Sequence, residues 1–287
     1  MQFIHPPPAK QFGDAIFETL RLHNGAPVFM RLHLARLFRG MKALGYLVPP
    51  MQEFLTELRE STRQAWLHCG SPPVARARWL VFRETYEGYR PGPEELLVSV
   101  TVAPYQDSSA PRSGGIPVRK ALVVGHLRHW RTPFSHLKTT HRAPTVAAAA
   151  WVARQGYAEG LIMDNRCRAV EFLAGNLFAF IRNEGLLLTP PLASGALAGS
   201  LRSLMLQELA PRLGWQVRVA HLPLKKLQYA DLVFHTNAIR RITWVNEIWK
   251  PGNRKEPLHS ATDATELHWA LDLLVALEEA HTGWESL

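Results

Sequence analysis

The stretch RAVEFLAGNLFAFIRNEGLLLTPPLASGALAGSLRSLMLQELAPRL, residues 168–213, decides the fold class. Three apolar, strand-like runs, RAVE, NLFAFIR and GLLLTP, follow one another with only short turn-forming breaks, and a single helical segment, SLRSLMLQELAPRL, comes after them. A doubly wound parallel sheet requires a crossover helix between successive parallel strands. Here the strands outnumber the helices, so the pattern predicts a mixed α/β chain of the α+β type.

Working outward, the same reading predicts strands at IPVRKALVVGHL and EGLIMD upstream and at WQVRVAHL, DLVFHT and RRITWV downstream, with a closing helix around TELHWALDLLVALEEA. Before residue 106 the pattern changes. RLHLARLFRGMKALGY and PMQEFLTELRESTRQAWLHCG carry apolar residues at helical spacing and stop at Gly45 and Gly70, and VARARWLVFR and EELLVSVTVAPY read as strands. QDSSAPRSGG has turn formers and no apolar period. The predicted organisation is a small N-terminal α/β domain over 1–105, a linker over 106–116 and a larger domain over 117–287.

Composition narrows the functional classes. With 287 residues and 47% hydrophobic content the chain buries a substantial core. No apolar run reaches the roughly 20 residues of a membrane span, and the start has neither signal-peptide nor transit-peptide character; a cytoplasmic protein with no membrane partner is expected. Cys69 and Cys167, the two cysteines, have no spacing partners, so neither a disulfide framework nor a metal site is expected. The net charge of +9 is spread along the chain without a basic block, which argues against nucleic acid as a partner and for attraction of small anionic substrates. A basic, nonenzymatic binding protein is the opposing class.

SHLKTTHRAPTVAAAA, residues 135–150, places Lys138 between a predicted strand and a helix expected from about Pro144 to Arg154. Taken alone, such a lysine is a surface residue or a desolvated amine able to form a Schiff base. Arg36 in HLARL alone reads as an exposed helix arginine, and Glu171 alone as a strand-end carboxylate. Gly199, Ser200 and Leu201 stand where a helix begins, so unpaired N–H groups and the helix dipole suit an anion there.

Five blocks in order, FGDAIFETLR, HLARL, the Lys138 segment, VEFLAGN through GALAGSLR, and HTNA, resemble the class IV aminotransferase family, the fold-type IV pyridoxal-phosphate enzymes. The resemblance runs from Phe12 to Val245. It implies a two-domain fold with a barrel-like C-terminal domain, pyridoxal 5′-phosphate as cofactor, a homodimer, and a small amino-acid-like anion as substrate. Lys138 then matches the lysine that holds the cofactor and moves protons. Glu171, with Asn176 five residues on, matches the carboxylate facing the pyridine nitrogen. Arg36 matches a bidentate phosphate ligand, Gly199, Ser200 and Leu201 a second phosphate contact, and Thr236, Asn237 and Ala238 a third.

Departures from the family's transaminase pattern bear on the reaction. Arg142 after the lysine, Leu201, Asn237 with Ala238, and Phe12 in QFGD resemble aminodeoxychorismate lyases, which convert 4-amino-4-deoxychorismate to 4-aminobenzoate and pyruvate. A branched-chain or D-amino acid transaminase is the alternative. Only about a dozen residues precede FGD, where family members carry a strand hairpin, so a shortened edge of the small domain is expected. For the substrate carboxylate, Arg142 is the first candidate, and Arg83 and Tyr89 in VFRETYEGYRP are the second.

Overall fold

The computed structural model describes residues 12–84, 86–92, 96–106, 116–129, 131–253 and 255–284. They form two compact units. The first takes the chain up to Gln106 together with Leu137–Arg142 and the residues from Glu278 onward; the second takes Asp107–His136 and Ala143–Leu277. The sequence-based division cuts once, near 106–116. The lysine segment and the C-terminal end nevertheless return to the first unit, because their backbones pair with its strands. Most of the expected linker, and the residues before Phe12, lie outside the described residues.

In the first unit, strands β1 (Ile16–His23), β2 (Ala26–Pro27), β3 (Val74–Arg83) and β4 (Leu96–Pro104) form an antiparallel sheet in the order β2-β1-β3-β4. Period-two alternation sorts its faces. Ala75, Ala77, Trp79 and Val81 of β3 are buried, while Arg76 and Arg78 between them are exposed. The buried face packs on helices α1 (Met30–Ala43) and α2 (Met51–His68), chiefly through Leu34, Leu37, Met41, Phe54 and Leu58. Trp79 is completely buried and donates its indole N–H to Thr62 Oγ1 at 3.1 Å. Truncating such an anchor costs about 3–5 kcal/mol.

In the second unit the strands β5 (Val118–His129), β6 (Glu159–Asp164), β7 (Arg168–Phe172), β8 (Gly175–Ile181), β9 (Leu186–Thr189), β10 (Gln216–Val219), β11 (Leu222–Pro223), β12 (Leu232–Asn237), β13 (Arg241–Trp249) and β14 (His259–Ser260) make one mixed sheet. Pairing runs β8–β12–β13–β5–β6–β7 and then back to β8, which closes a barrel-like ring. Its inward residues, among them Val123, Leu161, Met163, Leu177, Ala179, Val233 and Val245, form the core. Helix α3 (Ala143–Arg154) covers part of the outside, packing Ala148 and Val152 on Val124 and Ile162.

The β5–β6 pair is parallel, so the chain must cross over between the two strands. That crossover carries Lys138 and α3. The helical run after Gly199 starts as Ser200–Leu204, widens into a π-turn over Met205–Leu209 and ends as Ala210–Arg212. Pro211 explains the widening, since its missing N–H and its ring disrupt ordinary α-helical bonding. Helix α4 (Thr265–Ala280) closes the described chain. No described helix is long and apolar enough to cross a membrane.

Candidate active site

In the first unit the lysine segment extends the sheet at the free end of β1. Thr139 pairs with Ile16 in an antiparallel bridge, the Phe17 N–H donates to the Lys138 carbonyl at 2.9 Å, and the Thr140 N–H donates to the Ala15 carbonyl at 2.8 Å. Residues directly opposite one another in such a ladder point to the same side. Lys138 therefore shares a face with Phe17, and its Nζ lies 4.6 Å from the centre of that ring. The same face carries Arg78, whose guanidinium carbon is 4.4 Å from the same ring centre, and Arg76 two residues before it on β3. Both arginines are exposed, and among the described residues neither meets a carboxylate. The sequence reading passed over both. Their signal was the basic alternation in VARARWLVFR, which needed the strand pairing to show which face it served.

The opposite face of β1 holds a buried charge cluster. Glu18 is fully buried and accepts Arg36 Nε–H at 2.7 Å, a second bond from Arg36 Nη2 at 2.5 Å, and His33 Nδ1 at 2.7 Å. Burial pushes the Glu18 carboxyl up, but the charge and hydrogen bonds of Arg36, with those of His33, outweigh it and hold the group down at about 2. Burial also lowers the His33 pKa, against the opposing pull of Glu18. The imidazole is therefore neutral at pH 7, with its proton on Nδ1 facing the carboxylate. The Arg36 fork expected on a phosphate thus grips Glu18 through Nε and Nη2.

Arg142 turns back onto its own loop. It donates from Nη2 to the Leu137 carbonyl at 2.9 Å and from Nε to the Thr139 carbonyl at 3.2 Å. Arg83 is buried and equally engaged, with Asp14 Oδ2 at 3.0 Å, the carbonyls of Leu44 and Gly45 at 2.9 and 2.8 Å, and the Tyr46 ring beneath it at 4.2 Å. Tyr86 completes this clamp by donating to Asp14 Oδ1 at 2.7 Å. Tyr89 is almost fully exposed and meets the Phe12 ring at a tilt, with ring centres 5.4 Å apart.

In the second unit Glu171 and Asn176 face each other across the β7–β8 hairpin, and Asn176 in turn faces Thr236 on β12. This register is what the five-residue Glu-to-Asn spacing encodes. Since Phe172 and Leu177 point into the core, Glu171, Asn176 and Thr236 project from the outside of the ring. Glu171 and Asn176 grip one residue between them: Glu171 Oε2 accepts the Leu197 N–H at 2.9 Å, and Asn176 Nδ2 donates to the Leu197 carbonyl at 2.8 Å. Two residues on, Gly199 caps the helix that starts at Ser200. A Cβ at Gly199 would overlap Asn176 Oδ1, and one at Gly175 would overlap the Thr236 carbonyl. Glycine is thus required by close approach at both positions.

The Asn237 side chain closes its own turn, accepting from the N–H groups of Ile239 and Arg240 at 2.9 and 2.7 Å and donating to the Ala174 carbonyl at 2.8 Å. That leaves Asn237 and Ala238 to act through their backbone. The Thr236 hydroxyl is buried and has no hydrogen-bond partner among the described residues, a deficit of about 1–3 kcal/mol. Helix Ser200–Leu204 packs against β12, the strand that carries Thr236. A buried hydroxyl left without a partner, on a strand against which a helix start packs, suits an anion such as a phosphate.

The model of the amino-transferase class IV family matches residues 15–248. The chain belongs to the class IV aminotransferase family. The members of that family are pyridoxal 5′-phosphate enzymes, and this chain is one of them. It is 28% identical over 254 residues to the branched-chain-amino-acid aminotransferase of Escherichia coli (strain K12), covering 84% of this chain and 78% of that one. It is 25% identical over 278 residues to the aminodeoxychorismate lyase of Bacillus subtilis (strain 168), covering 93% and 86%. The crystal structure of the Escherichia coli branched-chain amino acid aminotransferase superposes with a TM-score of 0.80 at 22% identity, over 98% of this chain and 90% of that one, which shows the fold. The class IV cofactor fits the residues present: the orphaned Thr236 hydroxyl and the Ser200 helix start suit its phosphate, and Glu171 supplies a carboxylate.

Proposed function

We propose that this class IV enzyme is a lyase acting on an amine that carries two carboxylates, 4-amino-4-deoxychorismate, and that it releases 4-aminobenzoate and pyruvate. One observation carries the reading. Lys138 and Arg78 lie over the same Phe17 ring, with Arg76 next on that face, and no described carboxylate neutralises either arginine. Arginines left without an anion beside a reactive amine suit substrate acid groups.

The bound cofactor supplies an electron sink for the carbanion formed at the substrate. Lys138 holds the cofactor and carries protons at Nζ, with the Phe17 face limiting where the ammonium can go. Glu171, oriented by the Leu197 N–H, presents its carboxylate to the pyridine nitrogen. Thr236 Oγ1 and the N–H groups from Ser200 to Leu201 hold the phosphate, with the backbone of Asn237 and Ala238. Arg36, fixed by Glu18, contributes its positive charge to the phosphate. The substrate-binding role passes from Arg83 and Tyr89, which serve a structural clamp and an exposed turn, to Arg78 and Arg76. The protein works as a homodimer.

A transaminase of branched-chain or D-amino acid type is the second reading, favoured by the 28% identity to the Escherichia coli branched-chain enzyme. The purified protein is expected to be yellow, and borohydride to fix the cofactor on a peptide containing Lys138. Incubation with aminodeoxychorismate should release 4-aminobenzoate without amino transfer. Conversion of the bound cofactor to its amine form by a simple L- or D-amino acid, at turnover rates with a keto acid acceptor, would overturn the lyase in favour of the transaminase.

A further inference from the structure

We infer that Arg142 is the positioning residue of the active-site lysine. The inference rests on the reading that Lys138 holds the cofactor. Four consecutive carbonyls, from Leu137 to Thr140, each have a donor. That of Lys138 is bound by the Phe17 N–H at 2.9 Å and that of Thr140 by the Arg142 N–H at 2.8 Å. The carbonyls of Leu137 and Thr139, one on each side of Lys138, are both bound by the Arg142 guanidinium, at 2.9 and 3.2 Å. Arg142 therefore supplies three of the four bonds, and a single planar group spans the lysine.

The geometry matters because lysine is long. Four rotatable bonds separate Nζ from the backbone, so the range of Nζ is set by the direction in which Cα–Cβ leaves the chain. That direction is fixed by the two peptide planes flanking Lys138. Buried Leu137 and Thr139 anchor those planes from the side chains, and Arg142 anchors them from the carbonyls. A guanidinium holds its donors at a fixed separation in one plane, so binding both carbonyls locks their relative orientation. A lysine ammonium is a compact donor on a flexible stem and leaves that orientation looser. A displacement of about 1 Å at a reacting group costs on the order of 100-fold in rate.

The test compares wild-type holoenzyme with Arg142→Gln and Arg142→Lys. Three readouts are taken: steady-state kinetics with the turnover substrate, the pH titration of the visible band of the bound cofactor without substrate, and the rate of borohydride fixation on Lys138. A positioning role predicts that kcat falls about 10- to 100-fold while KM stays within about 3-fold. It also predicts a shifted band titration and slower fixation, with Arg142→Lys between Arg142→Gln and wild type. A rise in KM with kcat retained would make Arg142 a substrate ligand and overturn the inference. Lower thermal stability with kcat, titration and fixation unchanged would make it a purely structural residue, which also overturns it. If Arg142→Gln does not fold, Arg142→Lys alone decides by the same readouts. Failure of the underlying reading looks different: wild-type protein itself would lack the visible band or be fixed at another residue.

Discussion

Replacing Glu18 by Gln removes the anion beneath Arg36 while keeping the side chain's shape. Two routes give the size of the effect. The folded protein holds the Glu18 carboxyl at about 2 against an ordinary value of 4.5, and a difference of that size corresponds to about 3 kcal/mol of stability at neutral pH. Independently, removing one partner of a buried ion pair costs about 3–5 kcal/mol, because the other charge stays buried without compensation. Both point to a loss of about 3 kcal/mol for Glu18→Gln at pH 7. The sign with pH follows from the depressed value. The contribution of Glu18 is complete above 4.5 and drains away as pH falls toward 2, while neutral His33 adds no charge near pH 7 to blur the comparison. Urea unfolding of wild type and variant at a series of pH values between 7 and 3 measures this directly, and the gap between them should narrow through the acidic end. A gap below about 1 kcal/mol at pH 7, or one that is equal at pH 7 and pH 3, would refute the assignment of Glu18 as the charged keystone of this unit.

Gly199→Ala places a methyl on Asn176 Oδ1, so cofactor titration should show affinity weakened by about 10-fold or more, an overpacking cost of roughly 1–3 kcal/mol; unaltered affinity would remove the close approach from the site. Arg83→Met should lower thermal stability by breaking four contacts at once, with KM little changed, whereas Arg78→Met should raise KM for a dicarboxylate by about 10-fold or more with stability kept; the reverse pattern would exchange their roles. Glu171→Gln should retain bound cofactor yet lose most turnover, since an amide still meets the Leu197 N–H but cannot favour a protonated pyridine; full turnover in steady-state assays would free Glu171 of that role.

Much of the second unit was legible because several of its strands are buried on both faces and short loops separate them, so continuous apolar runs such as EGLIMD and NLFAFIR marked themselves. β1 did not. Its inward positions are Ile16, Glu18, Leu20 and Leu22, and the glutamate interrupts the alternation that identifies a strand. Only the arrival of Arg36 and His33 from α1 makes a carboxylate tolerable there, and nothing local in IFETLRLH announces them.

By itself the sequence determined what local pattern and motif chemistry can encode: the two helices of the first unit, the strand-rich second unit, the lysine between a strand and a helix, and the Glu171-to-Asn176 spacing. Tertiary structure decided which arginines meet carbonyls and which, among the described residues, stay without a carboxylate partner. Arg83 and Arg142 looked like anion ligands because a guanidinium is built for anions, yet Arg83 meets Asp14 and two carbonyls distant in sequence and Arg142 meets its own folded loop. Arg76 and Arg78 were not singled out by the sequence at all. The pairing of β1 with β3 and with the lysine segment put them on the face of Lys138. Register is a property of two strands together, and a one-residue slip would turn every side chain to the other side, so no single stretch of chain could state it.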